Sequence, residues 1–213
     1  MTTKQHAYAI LRLVSPTSTD DKVFPIPFIV SLMSSTRALL IEQKFKKYEP
    51  ISYDAYQSTT IDLVKEYNCP PFPCLLRSTT KIPKVMEVKR AYPLMVYDQS
   101  MTGIPYVSVK KAGLKKYSSS TKPFYFVLDG FLYIANVEDL TQVTIVGLFE
   151  KIINKCLQTT EEFCDPYDTE FPIDADLETR MYELVVNQLR NSLRVPQDTI
   201  NDGRSNIQAQ PIS

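Results

Sequence analysis

The chain has 213 residues, with 24 Lys and Arg balanced by 24 Asp and Glu, one His, no Trp, 15 Pro and 5 Gly. At 44% hydrophobic and 23% charged it has a globular composition, long enough for one core and a satellite. The glycines stand at least ten residues apart, which excludes a dinucleotide fingerprint or a P-loop; the single imidazole excludes a two-His zinc helix, and no run approaches the ~18 apolar residues of a membrane span.

In chain order, residues 1–10 lack the apolar run of a secretion signal, so a soluble protein made in a cytoplasm is expected. Ala7, Ile10, Leu11 and Val14 recur at helical spacing up to Ser15-Pro16, predicting a helix over about 4–14. His6 reads as a polar position on that helix, and any His-dependent catalysis would have to use it. Pro25 and Pro27 suit the entry to a second helix over about 26–47. Its stripe is Ile29, Leu32, Met33, Thr36, Leu39, Leu40 and Phe45, with Arg37, Glu42, Lys44 and Lys46 off it; Glu42 and Lys46 form an i,i+4 pair.

Beyond Pro50 the period changes. Residues 59–64 read as a strand, the prolines at 70–73 as a loop, and 84–88 and 105–109 as half-buried strands. The strongest local signal is Phe124 to Ile134, two β-rich runs around Asp129-Gly130. A type I′ turn there opposes Leu128 to Phe131, Val127 to Leu132 and Phe126 to Tyr133. Both faces of this hairpin are apolar, so one packs on the core and the other needs a cover. Residues 142–149 read as a third strand beside it, followed by a helix near 149–157. The last helix, about 176–194, carries Leu177, Met181, Leu184, Val185, Leu189 and Leu193, with Asp174 or Asp176 as its cap. Residues 197–213 have almost no apolar content and read as an extended tail held, if at all, by a partner. The expected architecture is α+β: one domain over 1–196, N-terminal and C-terminal helices flanking a mainly antiparallel sheet at about 58–149, and the tail.

The four cysteines, Cys69, Cys74, Cys156 and Cys164, match no common zinc spacing and are expected as free, mostly buried thiols. Cys164, Asp165 and Asp168 would be the best catalytic cluster, yet acids at that spacing on a proline-containing loop are ordinarily exposed or helix-capping. No enzyme, metal or cofactor is expected. The zero net charge is a cancellation. From Arg77 to Lys122 ten bases face two acids, +8, and from Glu161 to Glu178 eight acids face no base, −8. Segregated charge suits an interface between unlike surfaces, with Lys110, Lys111, Lys115 and Lys116 on one side and Glu161, Glu162, Asp165 and Asp168 on the other. Ordinary solvated loops, or pairing within one subunit, would account for the same pattern.

The order of elements, the Cys69-Pro70-Pro71-Phe72-Pro73 loop, Val143 to Glu150, Phe171 to Leu189 and the Asp198-Thr199-Ile200-Asn201-Asp202 tail resemble the neck ring, or head-to-tail adaptor, proteins of tailed bacteriophages, particularly the crAss-like phages. Lys151-Ile152 departs from the Asp-Pro that often follows in that family. The resemblance implies a non-enzymatic virion subunit assembled in the bacterial host cytoplasm. It would sit as a ring, usually of twelve copies, beneath the portal and beside other neck or tail rings, lining the channel through which DNA leaves without sequence-specific contact. Tyr125, Phe126, Phe131 and Tyr133 on the hairpin, and Asp198, Asn201, Asp202 and Asn206 on the tail, are the expected contacts. The alternative is a nucleic-acid-binding protein using the basic segment 109–117. A zero net charge and the absence of Arg between 91 and 122 weigh against it.

Overall fold

A computed structural model describes residues 1–14, 24–66, 75–86, 93–115, 122–137, 139–153 and 164–193. Among the described residues there are four α-helices, α1 (Thr3–Val14), α2 (Ile26–Lys47), α3 (Val109–Lys115) and α4 (Ala175–Leu193). The strands are β1 (Gln57–Glu66), β2 (Leu75–Ser78), β3 (Leu94–Tyr97), β4 (Gly103–Ile104), β5 (Phe124–Leu128), β6 (Phe131–Ala135) and β7 (Gln142–Gly147). The fold is α+β, as expected. Residues 197–213, Glu161, Glu162 and Lys116 lie outside the described residues.

Local chemistry sets the helix ends. At α1 the Thr2 hydroxyl accepts from the Gln5 N–H at 3.3 Å while the Gln5 side chain accepts from the Thr2 N–H at 3.0 Å, a reciprocal cap. Helix α2 starts after Pro25 with Pro27 in its first turn and stops at Tyr48, whose φ of 61° cannot continue it. The Glu42–Lys46 pair forms at 2.7 Å.

The strands form one sheet in the order β4-β3-β7-β1-β2-β6-β5, every pair antiparallel. Strand β1 turns the corner, pairing with β7 through residues 57–62 and with β2 through 63–66. Past β4 the chain runs parallel to β5, the Val107 N–H donating to the Tyr125 carbonyl at 2.8 Å and the Tyr125 N–H to the Pro105 carbonyl at 3.0 Å. These bonds join the two edge strands and close the sheet into a near-barrel. Its interior is filled from every strand, including Ile61, Leu76, Val96, Ile104, Leu132 and Ile145, and the Tyr125 hydroxyl donates across it to the Leu94 carbonyl. A second core lies among α1, α2 and α4, with Ile10, Met33, Leu40, Met181 and Leu189.

The hairpin has the expected register, with Asp129 and Gly130 at φ of 51° and 83° as a type I′ turn requires. Its second face is covered within the chain by Ala112 of α3, packed with Phe124, Phe126 and Ala135. The expected strand at 105–109 is therefore a correction. Only Tyr106 bridges, and the Ala112 N–H bonds the Ser108 carbonyl at 2.8 Å to start α3, so the basic segment begins on a helix. Likewise β7 does not lie beside the hairpin but between β1 and β3. Of the helix expected near 149–157, residues 149–153 are not helical and 154–157 lie outside the described residues; Phe149 bridges to Val85, which among the described residues is all that forms of the strand expected at 84–88, its residues 87–88 also lying outside them. Gly147 is fixed by contact, since a Cβ there would stand 2.9 Å from the Pro93 carbonyl oxygen and 3.2 Å from the Phe149 ring. Gly147→Ala should cost about 2 kcal/mol by forcing β3 away from β7, read as a lower urea midpoint.

Candidate functional site

The second helix departs most from its apolar pattern. Arg37 and Lys44, which fall off the stripe, are buried, whereas Leu39, which falls on it, is 49% exposed. Arg37 is wholly buried because its guanidinium is satisfied by backbone oxygens from three segments. Nη2 donates to Ala55 at 2.7 Å, Nη1 to Phe149 at 2.8 Å, and Nε to Pro172. Burial pushes its pKa down to about 10, against the opposing pull of Asp174, so it stays charged at neutral pH. Lys44 donates to Asp174 at 2.7 Å and bridges to Asp176 at 2.8 Å. Asp174 precedes α4 as a cap should, but its carboxylate accepts from Lys44 and from the Ser52 N–H at 2.8 Å.

His6 is 2% exposed between Phe171 and Tyr182. The Tyr182 hydroxyl donates to Glu178 at 3.1 Å, so it accepts from His6 Nδ1 at 2.6 Å. Burial lowers the His6 pKa below 6.5, more than Glu178 raises it, and the N-terminal charge adds to the lowering. Between the folded and unfolded values the unfolded chain holds the extra proton, so this contribution is present above pH 6.5 and is lost as pH falls below it. Tm measured against pH should fall more steeply below 6.5 for the native protein than for His6→Gln; parallel curves would count against this account.

The acidic segment is partly consumed inside the subunit. Asp165 bonds Lys4 at 2.7 Å, Asp174 and Asp176 hold Lys44, and Glu178 holds Tyr182, whereas Asp168 and Glu170 are exposed. On the basic side, Arg77 and Lys81 sit over the Phe131 ring at 5.0 and 5.8 Å, and Lys84 pairs with Glu150 at 2.8 Å. Lys110 and Lys111 are exposed on α3 and form no ion pair among the described residues; the placement of the Lys115 side chain is not described.

The four hairpin aromatics divide. Tyr125, inside the barrel, and Phe126, under α3, are 1% and 6% exposed, so their area is spent within the chain. Phe131 and Tyr133 stay half-buried, Tyr133 stacked on Phe126 at 5.2 Å. The exposed apolar groups lie elsewhere, notably Leu114 and Val109 on α3 and Leu39 on α2. Sequence reasoning missed the two on α3 because a short helix between strands carries no repeating pattern. A groove of about 1000 Å³ runs between α2, residues 84–86 and 150–152, and Pro166-Tyr167.

Cys164 is disulfide-bonded, its partner lying outside the described residues, which corrects the expectation of a free thiol at that position. Among the described residues no group of three or more His, Cys, Asp or Glu is placed to hold a metal, and no helix is long and apolar enough to cross a membrane.

Residues 5–207 match the family model described as phage tail ring protein 2. A curated relative, "Ring protein 2" of Bacteroides phage crAss001, is 26% identical over 205 residues, covering 89% of this chain and 91% of the relative. The chain belongs to the phage tail ring protein 2 family.

Proposed function

We propose that this protein is a structural, non-enzymatic subunit of a closed ring in the virion neck, below the portal and adjoining other neck or tail rings, whose channel carries the genome during ejection. The observation that carries this reading is the family match from residue 5 to residue 207. It takes in the helical core and the near-barrel, and it runs past the end of α4 at Leu193 into the tail.

Assembly takes place in the host cytoplasm, and twelve copies is the number the resemblance implies. Phe131 and Tyr133 keep the hairpin area that remains for a neighbour. On the tail, Asp198, Asn201, Asp202 and Asn206 offer hydrogen bonds along a partner groove. Ordering that tail costs about 1–2 kcal/mol per residue, so it docks only where a partner compensates. The exposed lysines of α3 face Asp168 and its acidic neighbours across the contact between copies. DNA passes through the channel without base-specific contact.

Quantitative mass spectrometry of purified virions, with native mass spectrometry of the detached neck, tests this. The expected result is the protein in virions at a ring stoichiometry, twelve; its absence from virions would overturn the reading. A chain ended at Pro196 that joined its neighbouring ring as well as the full chain would remove the tail from the account. The exposed Lys110 and Lys111 also support the nucleic-acid alternative. Salt-sensitive binding of the isolated protein to DNA, without incorporation into virions, would favour it.

A further inference from the structure

We infer that the pocket beside His6, at the starts of α1 and α4, is a binding site for a guanidinium or alkylammonium group; this goes beyond the ring reading and does not depend on it. The pocket, of about 380 Å³, lies where residues 53–58 and 152–153 meet the first turn of α1 and residues 169–178. The carboxylates of Asp54, Glu170 and Glu178 line it, and among the described residues neither Lys nor Arg does. None of the three carboxylates is paired with a Lys or Arg among the described residues. Met1 also lines the pocket, so its ammonium offsets one of these charges and the balance stays negative.

Exposed acids by themselves are ordinary solvated surface, and His6 is what sets this pocket apart. The ring is 2% exposed and yet is part of the lining. Its Nδ1 donates to the Tyr182 hydroxyl, which leaves the lone pair on Nε2, and Nε2 bonds no described residue. Among the described residues, Arg77 Nε is the only side-chain nitrogen or oxygen that is both wholly buried and without a partner, so His6 Nε2 opens onto the pocket. A largely buried acceptor of this kind gains a hydrogen bond from whatever brings a donor to it.

Backbone donors that could hold an anion are, by contrast, used up on the α1 side. The Thr3 and Lys4 N–H groups bond the Thr169 and Tyr167 carbonyls at 2.8 and 2.9 Å, and those of Gln5 and His6 bond Thr2 at 3.3 and 3.1 Å. The groups left over are acceptors: the imidazole lone pair, the Glu178 carboxylate beyond the oxygen that serves Tyr182, and the exposed carboxylates of Asp54 and Glu170. Tyr53 and Tyr56, with ring centroids 5.9 Å apart, add aromatic faces, and Tyr53 is 84% exposed. Carboxylates, a neutral imidazole acceptor and aromatic faces in one cavity match a cation with several N–H donors. An Arg or Lys side chain of an adjoining subunit and a free aliphatic amine both carry that group.

Because the chain has one histidine, NMR of the ¹⁵N-labelled full chain follows Nε2 without ambiguity while N-ethylguanidinium or n-butylammonium chloride is added at constant ionic strength. A saturable shift of Nε2 with half-saturation at about 1–10 mM is expected, with no shift from neutral N-ethylurea or from acetate. Glu178→Gln keeps an acceptor for Tyr182 and should retain the native Tm while raising half-saturation about fivefold. An Nε2 signal unmoved by both cations, a response to acetate instead, or a Glu178→Gln titration equal to the native one overturns the inference. A cryo-EM reconstruction of the virion neck separates the sources. Arg or Lys density entering from an adjoining subunit assigns the group to protein, and isolated density assigns it to a free amine. An acidic or apolar side chain seated there, or an empty pocket, overturns the inference and leaves the ring reading standing; a virion without the protein overturns the ring reading, while the titration still decides the pocket.

Discussion

Arg37→Ala is expected to destabilise the protein by about 4 kcal/mol, lowering Tm by roughly 12 °C for a chain of this size. The loss exceeds that of a cavity, because three carbonyls, of Ala55, Phe149 and Pro172, lose their donor together. Those oxygens belong to the entry to β1, the exit from β7 and the approach to α4, so one side chain ties the helical layer to the barrel. Arg37→Met keeps much of the apolar stem yet strands the same acceptors and should lose nearly as much. Arg37→Lys supplies a compact ammonium where a planar fork is required and should recover only part of the loss. Urea unfolding followed by circular dichroism measures all three, and an Arg37→Met variant as stable as the native protein would refute the assignment of the energy to these hydrogen bonds.

That Arg37 is central could not be read from its neighbours in sequence. Helix α2 was legible in extent because proline entry, apolar period and the stop before Pro50 are local signals. Its buried face was not. An apolar stripe assigns a charged residue to solvent, whereas the three oxygens that admit Arg37 come from positions 55, 149 and 172. The same division runs through the sheet. The hairpin register follows from Asp129-Gly130 alone, but the place of β7 between β1 and β3 depends on pairings far apart in sequence.

For the candidate site, the segregated charge was legible as composition and misleading as geometry. Asp165, Asp174, Asp176 and Glu178 partner Lys4, Lys44 and Tyr182 inside the subunit, because the acidic segment folds back on α1 and α2. The apolar area expected on the hairpin moved for a comparable reason. Once α3 packs on Phe124 and Phe126, Val109 and Leu114 of α3 itself are among the exposed apolar groups.

The second large effect is at Asp174, where replacement by Ala should cost about 3 kcal/mol. This carboxylate is 1% exposed and serves the Lys44 ammonium and the Ser52 N–H at once. Its removal leaves a buried cation with only the exposed Asp176 and, at 3.4 Å, the Pro50 carbonyl. Much of the cost is therefore the stranded charge rather than the worth of the pair, and Lys44→Met added to Asp174→Ala should restore about 1–2 kcal/mol of it. A double variant as unstable as the sum of the two single ones would show that the pair is not coupled. The pH dependence supplies an independent check. Burial pulls the Lys44 pKa down, but its bonds to Asp174 and Asp176 outweigh this and leave it above 10.5. Below pH 10.5 the ammonium is charged in both states and its contribution is complete; as pH rises through the folded value the unfolded chain has already released its proton, and the contribution is lost. Native stability should therefore decline above pH 10.5 more than that of Lys44→Met, and the difference between the two curves isolates this one ammonium.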